Sequence, residues 1–363
     1  MKYIDLSEKI DSINLTSPYS LDKHEKTEFL IDLLSNLSNY HKKNCEGYAN
    51  FTDVFFKNKN VKKLEDFPAL PVRAFKMHNL YSVKEDSIIK TLTSSGTTGQ
   101  QVSKIYLDKN TARRQSKILT SITKDFIGGS RMPMIIVDNS DVVKDRNKLN
   151  ARAAGILGYS IFGRDHFYCL DQDLSLMLDQ LEAYLNKYKD QPILVFGFTY
   201  IVWQAIESIK EKQSNLKFPE GSILIHGGGW KKLVDKNISN ENFKKKLNEK
   251  LNIKNVYNYY GMVEQVGSIF MECEEGHLHC PDYADVIVRD PKNLNELENG
   301  YEGVIQVLSI LPLSYPGHSL LTEDIGKIIG EDDCKCGRKG KYFSISGRMR
   351  MAELRGCSDT RIV

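Results

Sequence analysis

The 363 residues are 41% hydrophobic and 27% charged, the composition of an ordinary globular protein with one large core or two lobes. Fifty basic and 47 acidic residues leave a net charge of +3, so no overall field favours nucleic acid or an anionic membrane as a partner. No segment resembles a signal peptide and none approaches the roughly 18 apolar residues of a membrane span, so we expect a cytoplasmic protein without a membrane span.

Helices are expected on both sides of one extended segment in the first third of the chain. Residues 24–43 are predicted to form an amphipathic helix, because Leu30, Leu33 and Leu37 recur on one helical stripe. The segment 66–76 contains two prolines and is predicted to cross the surface in an extended conformation. Polar residues 110–126 again follow a helical pattern.

From residue 134 onward, strand patterns alternate with helix patterns. Strands are predicted at 134–139, 193–198, 222–229 and 255–261, and helices at 174–188 and 199–212. This alternation predicts an α/β core with a substantially parallel sheet, in which ligands collect at the carboxyl ends of the strands. The pattern becomes β-rich from about residue 282. We therefore expect an α/β core over 1–281, a β-rich subdomain over 282–347 and a short tail over 348–363.

The stretch LTSSGTTGQQ (92–101) is either a flexible linker or a loop that binds phosphate. It contains four hydroxyl side chains and two glycines, which are Ser94, Ser95, Thr97, Thr98, Gly96 and Gly99. Glycines let a backbone approach a ligand closely, and apolar residues on both sides predict a strand–loop–strand rather than a tether. The ending of a Walker loop is missing. Local features therefore favour phosphate binding by a loop of another kind.

The same string resembles the signature loop of the acyl-adenylate-forming superfamily, which includes acyl-CoA synthetases and the adenylation domains of peptide synthetases. Further motifs follow in the order of that superfamily, and they are His226-Gly227-Gly228-Gly229-Trp230, Tyr259-Tyr260-Gly261-Met262-Val263-Glu264, Leu321-Thr322-Glu323-Asp324 and Ser346-Gly347-Arg348. The resemblance implies the large core of the acyl-adenylate-forming fold. It also implies an enzyme that uses ATP and Mg²⁺ to convert a carboxylate into an acyl-AMP.

The resemblance also implies a role for each matched residue. Glu264 would hold Mg²⁺, Asp324 would bind the ribose hydroxyls, and Arg348 would lie at the hinge. The nucleotide-binding residues would be Ser94, Ser95, Gly96, Thr97, Thr98, Gly99, Gly227, Gly228, Gly229, Tyr259, Tyr260, Gly261 and Asp324. The chain departs from the superfamily at Val263, where a threonine usually contacts the α-phosphate, and at Glu323, where a glycine usually stands. The departures concern fine geometry and leave the Mg²⁺ and ribose roles in place.

The C-terminal segment differs from that of the superfamily. Only 15 residues follow Arg348 and none is lysine, whereas the superfamily has a rotating C-terminal lobe with a catalytic lysine. We expect a fold without a full rotating lobe, with a fragment of a longer chain as the alternative. Cys357 lies near Arg355 and Arg361, whose charges favour a thiolate that could attack acyl-AMP. A free thiol on a frayed terminus is the alternative for this residue.

Nearly the whole chain resembles the acyl-protein synthetases of the bacterial bioluminescence fatty-acid reductase complex. The resemblance is carried by PALPVRAFK (68–76), SSGTTGQQVSKIYLD, YYGMVEQVGSI and the RGCSD tail. It implies activation of a fatty acid with ATP, acceptance of the acyl group on a cysteine near the C-terminus, and delivery to a reductase-like partner protein. Cys357 is the cysteine at that position. Cys357, Glu264 and Arg348 are therefore the expected catalytic residues.

Late cysteines and histidines form two clusters that could fold into one zinc site. Cys273, His277, His279 and Cys280 form the first, and Cys-Lys-Cys at 334–336 forms the second. Thiolates with one imidazole suit tetrahedral zinc, and relatives similar to phenylacetate–CoA ligase have comparable clusters. The preferred ligands are Cys273, His279, Cys334 and Cys336, with His277 and Cys280 as substitutes. Reduced surface thiols without a metal are the alternative, and disulfides are not expected.

Two other functions remain open at this stage. The first is an aryl- or acyl-CoA ligase of the phenylacetate type. The second is a non-catalytic, zinc-stabilised binding protein on a ligase scaffold, against which the presence of Glu264, Asp324 and Arg348 argues. Aromatic residues of segment 196–200 either line an acyl channel or pack in the core. The substrate is expected to be a fatty acid or another carboxylic acid.

Overall fold

The computed structural model describes residues 3–12, 17–57, 61–94, 101–144, 150–211, 215–229 and 238–349. The helices in these ranges are α1 (Tyr3–Asp11), α2 (Lys23–Asn44), α3 (Glu46–Phe55), α4 (Ala74–Met77), α5 (Lys109–Ile127), α6 (Ala151–Ser160), α7 (Leu178–Lys187), α8 (Thr199–Glu211) and α9 (Asn240–Leu251). None of these helices is long and apolar enough to cross a membrane.

The strands in the same ranges are labelled β1 to β14 in chain order. They are β1 (Leu70–Pro71), β2 (Ile88–Thr93), β3 (Lys104–Asp108), β4 (Met132–Val137), β5 (Gly163–Tyr168), β6 (Leu194–Phe198), β7 (Ile223–Gly227), β8 (Asn255–Tyr260), β9 (Phe270–Met271), β10 (Leu278–His279), β11 (Ala284–Arg289), β12 (Gly303–Ser309), β13 (Ser319–Glu331) and β14 (Lys341–Arg348).

The chain divides into two compact units. The described residues of the first unit fall within 3–94, 101–126 and 261–349, and those of the second fall within 127–260. The first unit is therefore assembled from both ends of the described chain, whereas the described residues of the second all fall between 127 and 260. The subdomain boundaries expected at 281/282 and 347/348 stay predictions.

The second unit contains a parallel sheet in the order β5-β4-β6-β7-β8. Strands β4 and β6 are buried along their whole length, which suits strands covered on both faces. The α/β core with a parallel sheet is thus confirmed. Helix α7 begins at Leu178, so the helix predicted from residue 174 was wrong at its start. The Asp171 carboxylate accepts hydrogen bonds from the Asp173 and Ser175 amides, 2.9 and 2.8 Å away, and such local bonds compete with helix formation.

The first unit contains an antiparallel sheet in the order β10-β14-β13-β12-β11. Strand β1 pairs in parallel with β13, with Leu70 opposite Leu320. The prediction of an extended surface crossing at 66–76 was therefore only partly right. Phe67, Leu70 and Phe75 are buried, and residues 74–77 form a short helix. Burial of these apolar side chains against the sheet explains why the segment does not stay on the surface.

Helix α2 confirms the helix predicted over 24–43. The Asp22 carboxylate accepts hydrogen bonds from the His24 and Glu25 amides at 2.9 and 3.0 Å, and Glu25 completes a capping box. Leu30 and Leu33 lie on its buried face. The helix is therefore specified both by its N-terminal cap and by its apolar stripe.

Two buried imidazoles in the first unit stack on each other. The rings of His41 and His318 are 4.9 Å apart. His41 Nδ1 lies 2.7 Å from the Ser82 hydroxyl, and His318 Nε2 lies 2.9 Å from the Ser38 hydroxyl. Burial lowers the pKa of His41 from 6.5 to about 3, and burial together with the His41 charge lowers the pKa of His318 well below 6.5. Both rings are neutral in the folded protein at neutral pH.

We expect the unfolding free energy to decrease as the pH falls below 6.5. The unfolded chain binds a proton at each of these histidines near pH 6.5, while the folded chain does not. Each histidine therefore lowers the unfolding free energy by up to about 1.4 kcal/mol per pH unit below pH 6.5. Urea unfolding between pH 7 and 5 measures this slope. Replacing His318 with glutamine should remove the uptake of one proton on unfolding and so reduce the slope by up to about 1.4 kcal/mol per pH unit. His24→Gln is the control, because His24 is exposed, and an equal slope in wild type and His318→Gln would contradict the expectation.

Candidate functional site

The two strands predicted on either side of the segment 92–101 are present. Strands β2 and β3 pair antiparallel, with Leu92 opposite Ile105. At the base of the loop the Ser94 amide donates to the Ser103 carbonyl at 3.1 Å, and the Ser103 amide donates to the Ser94 hydroxyl at 2.9 Å. The Ser94 hydroxyl therefore accepts a hydrogen bond that links the end of β2 to the start of β3. Ser95, Gly96, Thr97, Thr98 and Gly99 lie outside the described residues.

The glycine turn predicted after a strand follows β7 in the second unit. Gly228 has a φ of +93°, a conformation that favours glycine. The Thr199 hydroxyl donates to the Gly227 carbonyl at 3.1 Å, and His226 Nδ1 lies 2.9 Å from the same hydroxyl. Because Thr199 begins α8 immediately after β6, this hydroxyl joins the carboxyl ends of β6 and β7. Gly229 belongs to the described part of the turn, whereas Trp230 lies outside it.

Tyr259 lies over Gly227 on the neighbouring strand. The two residues are register partners between β7 and β8. A Cβ atom on Gly227 would meet three atoms of the Tyr259 ring at 2.7 Å or less, so only glycine leaves room for the ring. Tyr259 also contacts the Tyr159 ring at 5.2 Å and stacks on Phe196 at 6.4 Å. Tyr260 ends β8, and Gly261 follows it directly.

Replacing Gly227 with alanine should destabilise the second unit by about 1–3 kcal/mol, because the Tyr259 ring must move within a packed cluster. Thermal and urea unfolding measure the effect. Gly129→Ala is the matched control, since a Cβ at Gly129 would meet no atom within 4 Å. Adding Tyr259→Leu to Gly227→Ala should recover part of the loss by opening space. An unchanged unfolding midpoint in Gly227→Ala would show that the ring moves without cost.

Glu264 lies in a short 3₁₀ turn, Val263–Gln265, in the first unit. Burial raises the pKa of Glu264, while a hydrogen bond with Ser103 and the charges of Lys76 and Arg348 act in the opposite direction. Nearby, the Gln265 side-chain amide donates to the Gly317 carbonyl at 2.9 Å and anchors the turn. A carboxylate held in a partly desolvated turn is suited to bind a hard cation, which would offset the cost of its burial.

Asp324 and Arg348 face each other on strands β13 and β14. They are register partners, and Arg348 Nε donates to Asp324 Oδ1 at 2.7 Å. The Asp324 amide donates to the Thr322 hydroxyl, 3.1 Å away, and that hydroxyl donates to the Ile305 carbonyl at 2.7 Å. The β-sheet thus positions the acidic and basic residues that the sequence motifs singled out separately.

Glu323, the residue that departs from the superfamily pattern, pairs with a second arginine. Its carboxylate accepts a hydrogen bond from Arg73 Nε, and its carbonyl accepts one from the Met349 amide at 2.9 Å. Sequence reasoning did not anticipate this ion pair. The only signal for it was the position of Arg73 within the segment 68–76.

The four preferred metal ligands converge in the first unit. One ligand atom from each of Cys273, His279, Cys334 and Cys336 lies within 4.8 Å of all the others. The Cys336 Sγ is 3.3 Å from His279 Nε2, and the Sγ atoms of Cys273 and Cys334 are 3.9 Å apart. The substitute His277 lies beside this group, with Nδ1 3.5 Å from the Cys334 Sγ. The donor set of three sulfurs and one nitrogen is one that tetrahedral zinc accepts.

Burial disfavours the charged forms of the residues in this cluster. It raises the pKa of the Cys273 thiol to about 12 and lowers the pKa of His279 to about 4. Cys273, His279 and Cys334 are buried, so the alternative of surface thiols does not describe them. The Tyr342 ring stacks on His277 at 4.9 Å and on His279 at 5.5 Å. Aromatic packing therefore fixes the imidazoles, while the buried thiols of Cys273 and Cys334 lack solvent to support their charged form.

The predicted acyl-channel aromatics and the predicted acyl-accepting cysteine do not form part of a site in the described structure. Phe196 and Phe198 are 0% and 1% exposed, so both pack in the core of the second unit. Cys357 lies outside the described residues. The helix start at Thr199 was predicted, but the hydrogen bond from its hydroxyl to the Gly227 carbonyl was not.

Solved structures of adenylate-forming ligases share this fold. An open conformation of 2-hydroxyisobutyryl-CoA ligase in complex with 2-HIB-AMP and CoA superimposes with a TM-score of 0.70 at 17% identity, covering 91% of this chain and 76% of that chain. A post-adenylation structure of the same ligase gives a TM-score of 0.69 at 16% identity, covering 92% of this chain and 69% of that one. The fold is therefore that of the acyl-adenylate-forming ligases.

Sequence comparison identifies the family. The model of the family described as "Acyl-protein synthetase, LuxE" matches residues 2–361. Two long-chain-fatty-acid–luciferin-component ligases are similar over nearly the full length. The Vibrio harveyi protein is 23% identical over 96% of this chain and 91% of its own, and the Aliivibrio fischeri protein is 23% identical over 97% and 93%. The chain belongs to the LuxE acyl-protein synthetase family and is an enzyme of the ligase class, as the motifs predicted.

Proposed function

We propose that this enzyme activates a fatty acid with ATP to form acyl-AMP and then carries the acyl group as a thioester on Cys357. The match to the acyl-protein synthetase family over residues 2–361 carries this proposal. The ordered motifs from Ser94 to Arg348 support its first half. The similar Vibrio harveyi protein is named a long-chain-fatty-acid ligase, which supports a fatty acid as the substrate.

In the first half-reaction the substrate carboxylate attacks the α-phosphorus of ATP, an O–P bond forms, and pyrophosphate leaves. The hydroxyls and amides of the loop 94–99 would bind phosphate oxygens, the glycines 227–229 and Tyr260 would bind adenine, and Asp324 would accept hydrogen bonds from the ribose. Glu264 would hold Mg²⁺, which supplies positive charge against the phosphoryl oxygens. Arg348 would hold Asp324 in place through their 2.7 Å hydrogen bond.

In the second half-reaction the Cys357 thiolate attacks the acyl carbonyl of acyl-AMP. A C–S bond forms, the C–O bond to the phosphate breaks, and AMP leaves. Arg355 and Arg361 would favour the thiolate. The resulting thioester keeps the acyl group activated for transfer to a partner protein of the reductase kind.

We also propose that Cys273, His279, Cys334 and Cys336 hold a structural zinc ion. Their convergence within 4.8 Å supports this assignment. Four protein ligands complete a tetrahedral shell, so such a zinc would bind no substrate. Its effect would be to tie the turn before β10 to the turn between β13 and β14.

One labelling experiment separates the proposed function from the two alternatives. The enzyme is incubated with ATP, Mg²⁺ and radiolabelled fatty acid, and the protein is then tested for label that hydroxylamine removes. Hydroxylamine-sensitive protein label supports the acyl-protein synthetase. Product that appears only when coenzyme A is added would favour the acyl-CoA ligase. Absence of pyrophosphate release with every carboxylic acid would favour a binding protein and overturn the proposal.

A further inference from the structure

A buried lysine lies beside the proposed zinc site without a carboxylate partner. Lys26, on α2, is 1% exposed. Its Nζ donates to the Cys280 carbonyl at 3.1 Å. Within the described parts of the chain, no carboxylate oxygen forms an ion pair with it at 4.0 Å or less. A buried ammonium without a counter-ion is costly, so its position requires an explanation.

The Lys26 ammonium lies where the two ligand-bearing segments meet. Cys280 directly follows His279, a ligand of the first segment. A Cβ atom on Gly340, four positions after Cys336, would lie 3.0 Å from Lys26 Nζ and 3.0 Å from the Cys280 carbonyl oxygen. The ammonium therefore lies between Cys280, which follows the first pair of ligands, and Gly340, which follows the second pair.

Another cation near the cluster is already matched by carboxylates. Arg338 donates to Asp125 and to Glu274, each at 2.8 Å. Its guanidinium also lies 4.0 Å from the Phe126 ring centroid. With two carboxylates around it, Arg338 adds no net positive charge to this region.

We propose that Lys26 is the counter-charge of an anionic zinc centre formed by three thiolates and one imidazole. Zn²⁺ with three thiolates and a neutral imidazole has a net charge of −1. A buried centre of that charge requires a nearby cation, and Lys26 is a buried cation that forms no ion pair with a carboxylate among the described residues. This inference rests on the proposed zinc site, and it assigns Lys26 a positioning and electrostatic role rather than metal coordination.

Replacement of Lys26 by methionine tests the proposal, because it removes the charge but keeps the unbranched stem. The full-length protein is freed of metal and titrated with Co²⁺, whose thiolate charge-transfer bands report sulfur ligation. The Zn²⁺ dissociation constant is then measured against a chromophoric chelator. We expect Lys26→Met to weaken Zn²⁺ binding by about 10–100-fold, as loss of outer-shell partners does at other metal sites.

The stability of the metal-free protein gives a second readout of opposite sign. Without metal, the charge of Lys26 is unmatched, so Lys26→Met should unfold at the same urea concentration as wild type or at a higher one. The loaded variant should unfold at a lower concentration than loaded wild type. Lys23→Met is the control, since Lys23 lies on the same helix, is 72% exposed and pairs with Glu331; it should change neither readout.

Each other outcome overturns the proposal in a distinguishable way. Equal Zn²⁺ affinity in wild type and Lys26→Met would show that the charge does not act on the centre. Equal destabilisation with and without metal would assign Lys26 a purely structural hydrogen bond. Absence of thiolate bands in wild type would overturn the zinc site itself, and with it this role, while leaving fatty-acid activation to be judged by the labelling experiment.

Discussion

Replacing Cys357 with serine should abolish hydroxylamine-sensitive labelling of the protein by activated fatty acid. Serine lacks a readily formed anion at neutral pH, whereas the cysteine thiolate is a strong nucleophile for acyl transfer. Exchange of pyrophosphate with ATP in the presence of fatty acid should stay within about twofold of wild type, because this half-reaction does not require the thiol. The comparison of the two assays isolates the transfer step from adenylation.

The neighbouring Ser358→Ala provides a matched control for the Cys357 variant. It changes the adjacent side chain in the same tail and should keep both labelling and pyrophosphate exchange. Full labelling of Cys357→Ser would overturn the assignment of this residue as the acyl acceptor. Loss of both activities in Cys357→Ser would instead show that the side chain affects adenylation.

The second large effect is expected from Glu264→Gln. The amide preserves the size of the side chain but removes the negative charge proposed to hold Mg²⁺. We expect pyrophosphate exchange to decrease by a factor on the order of 10²–10³, the range seen when one stabilising group is removed from a transition state. Higher Mg²⁺ concentrations should recover part of the activity, because the remaining ligands bind the ion more weakly.

Glu302→Gln is the control for this charge change. Glu302 is exposed and belongs to the same unit, so the variant should match wild type in rate and in Mg²⁺ dependence. A Glu264→Gln enzyme with an unchanged Mg²⁺ requirement and a reduced rate would assign Glu264 a role other than binding the ion. An unchanged rate would remove Glu264 from the catalytic residues.

Sequence periodicity predicted the regular elements well because they are specified by local burial patterns. The helix expected at 24–43 is Lys23–Asn44, and the strand expected at 193–198 is Leu194–Phe198. Deviations occur where other interactions compete with the pattern. The Asp171 carboxylate delays α7 to Leu178, and long-range burial pulls Phe75 into the first unit. Neither effect follows from hydrophobic spacing.

The proposed metal site was predictable because its ligands come in two tight groups. Cys273 and His279 lie on either side of a turn closed by the Cys273 amide, which donates to the His277 carbonyl at 2.8 Å. Pairing of β10 with β14 then brings this turn to the segment that follows β13. Two long-range contacts described above could not be predicted from sequence spacing. Lys26 and Cys280 are 254 positions apart, and Arg73 and Glu323 are 250 apart.

The discontinuous first unit has a consequence for the order in which the protein folds on the ribosome. Strand β1 pairs with β13, with Leu70 opposite Leu320. Strand β1 can therefore form its backbone hydrogen bonds only after β13 has been synthesised. The described residues of the second unit, all between 127 and 260, are synthesised before β13. We therefore expect Phe67, Leu70 and Phe75 to stay exposed in the nascent chain until β13 is made, and transiently exposed apolar surface is prone to aggregation. The late strands thus set the time at which the first unit becomes protected from aggregation.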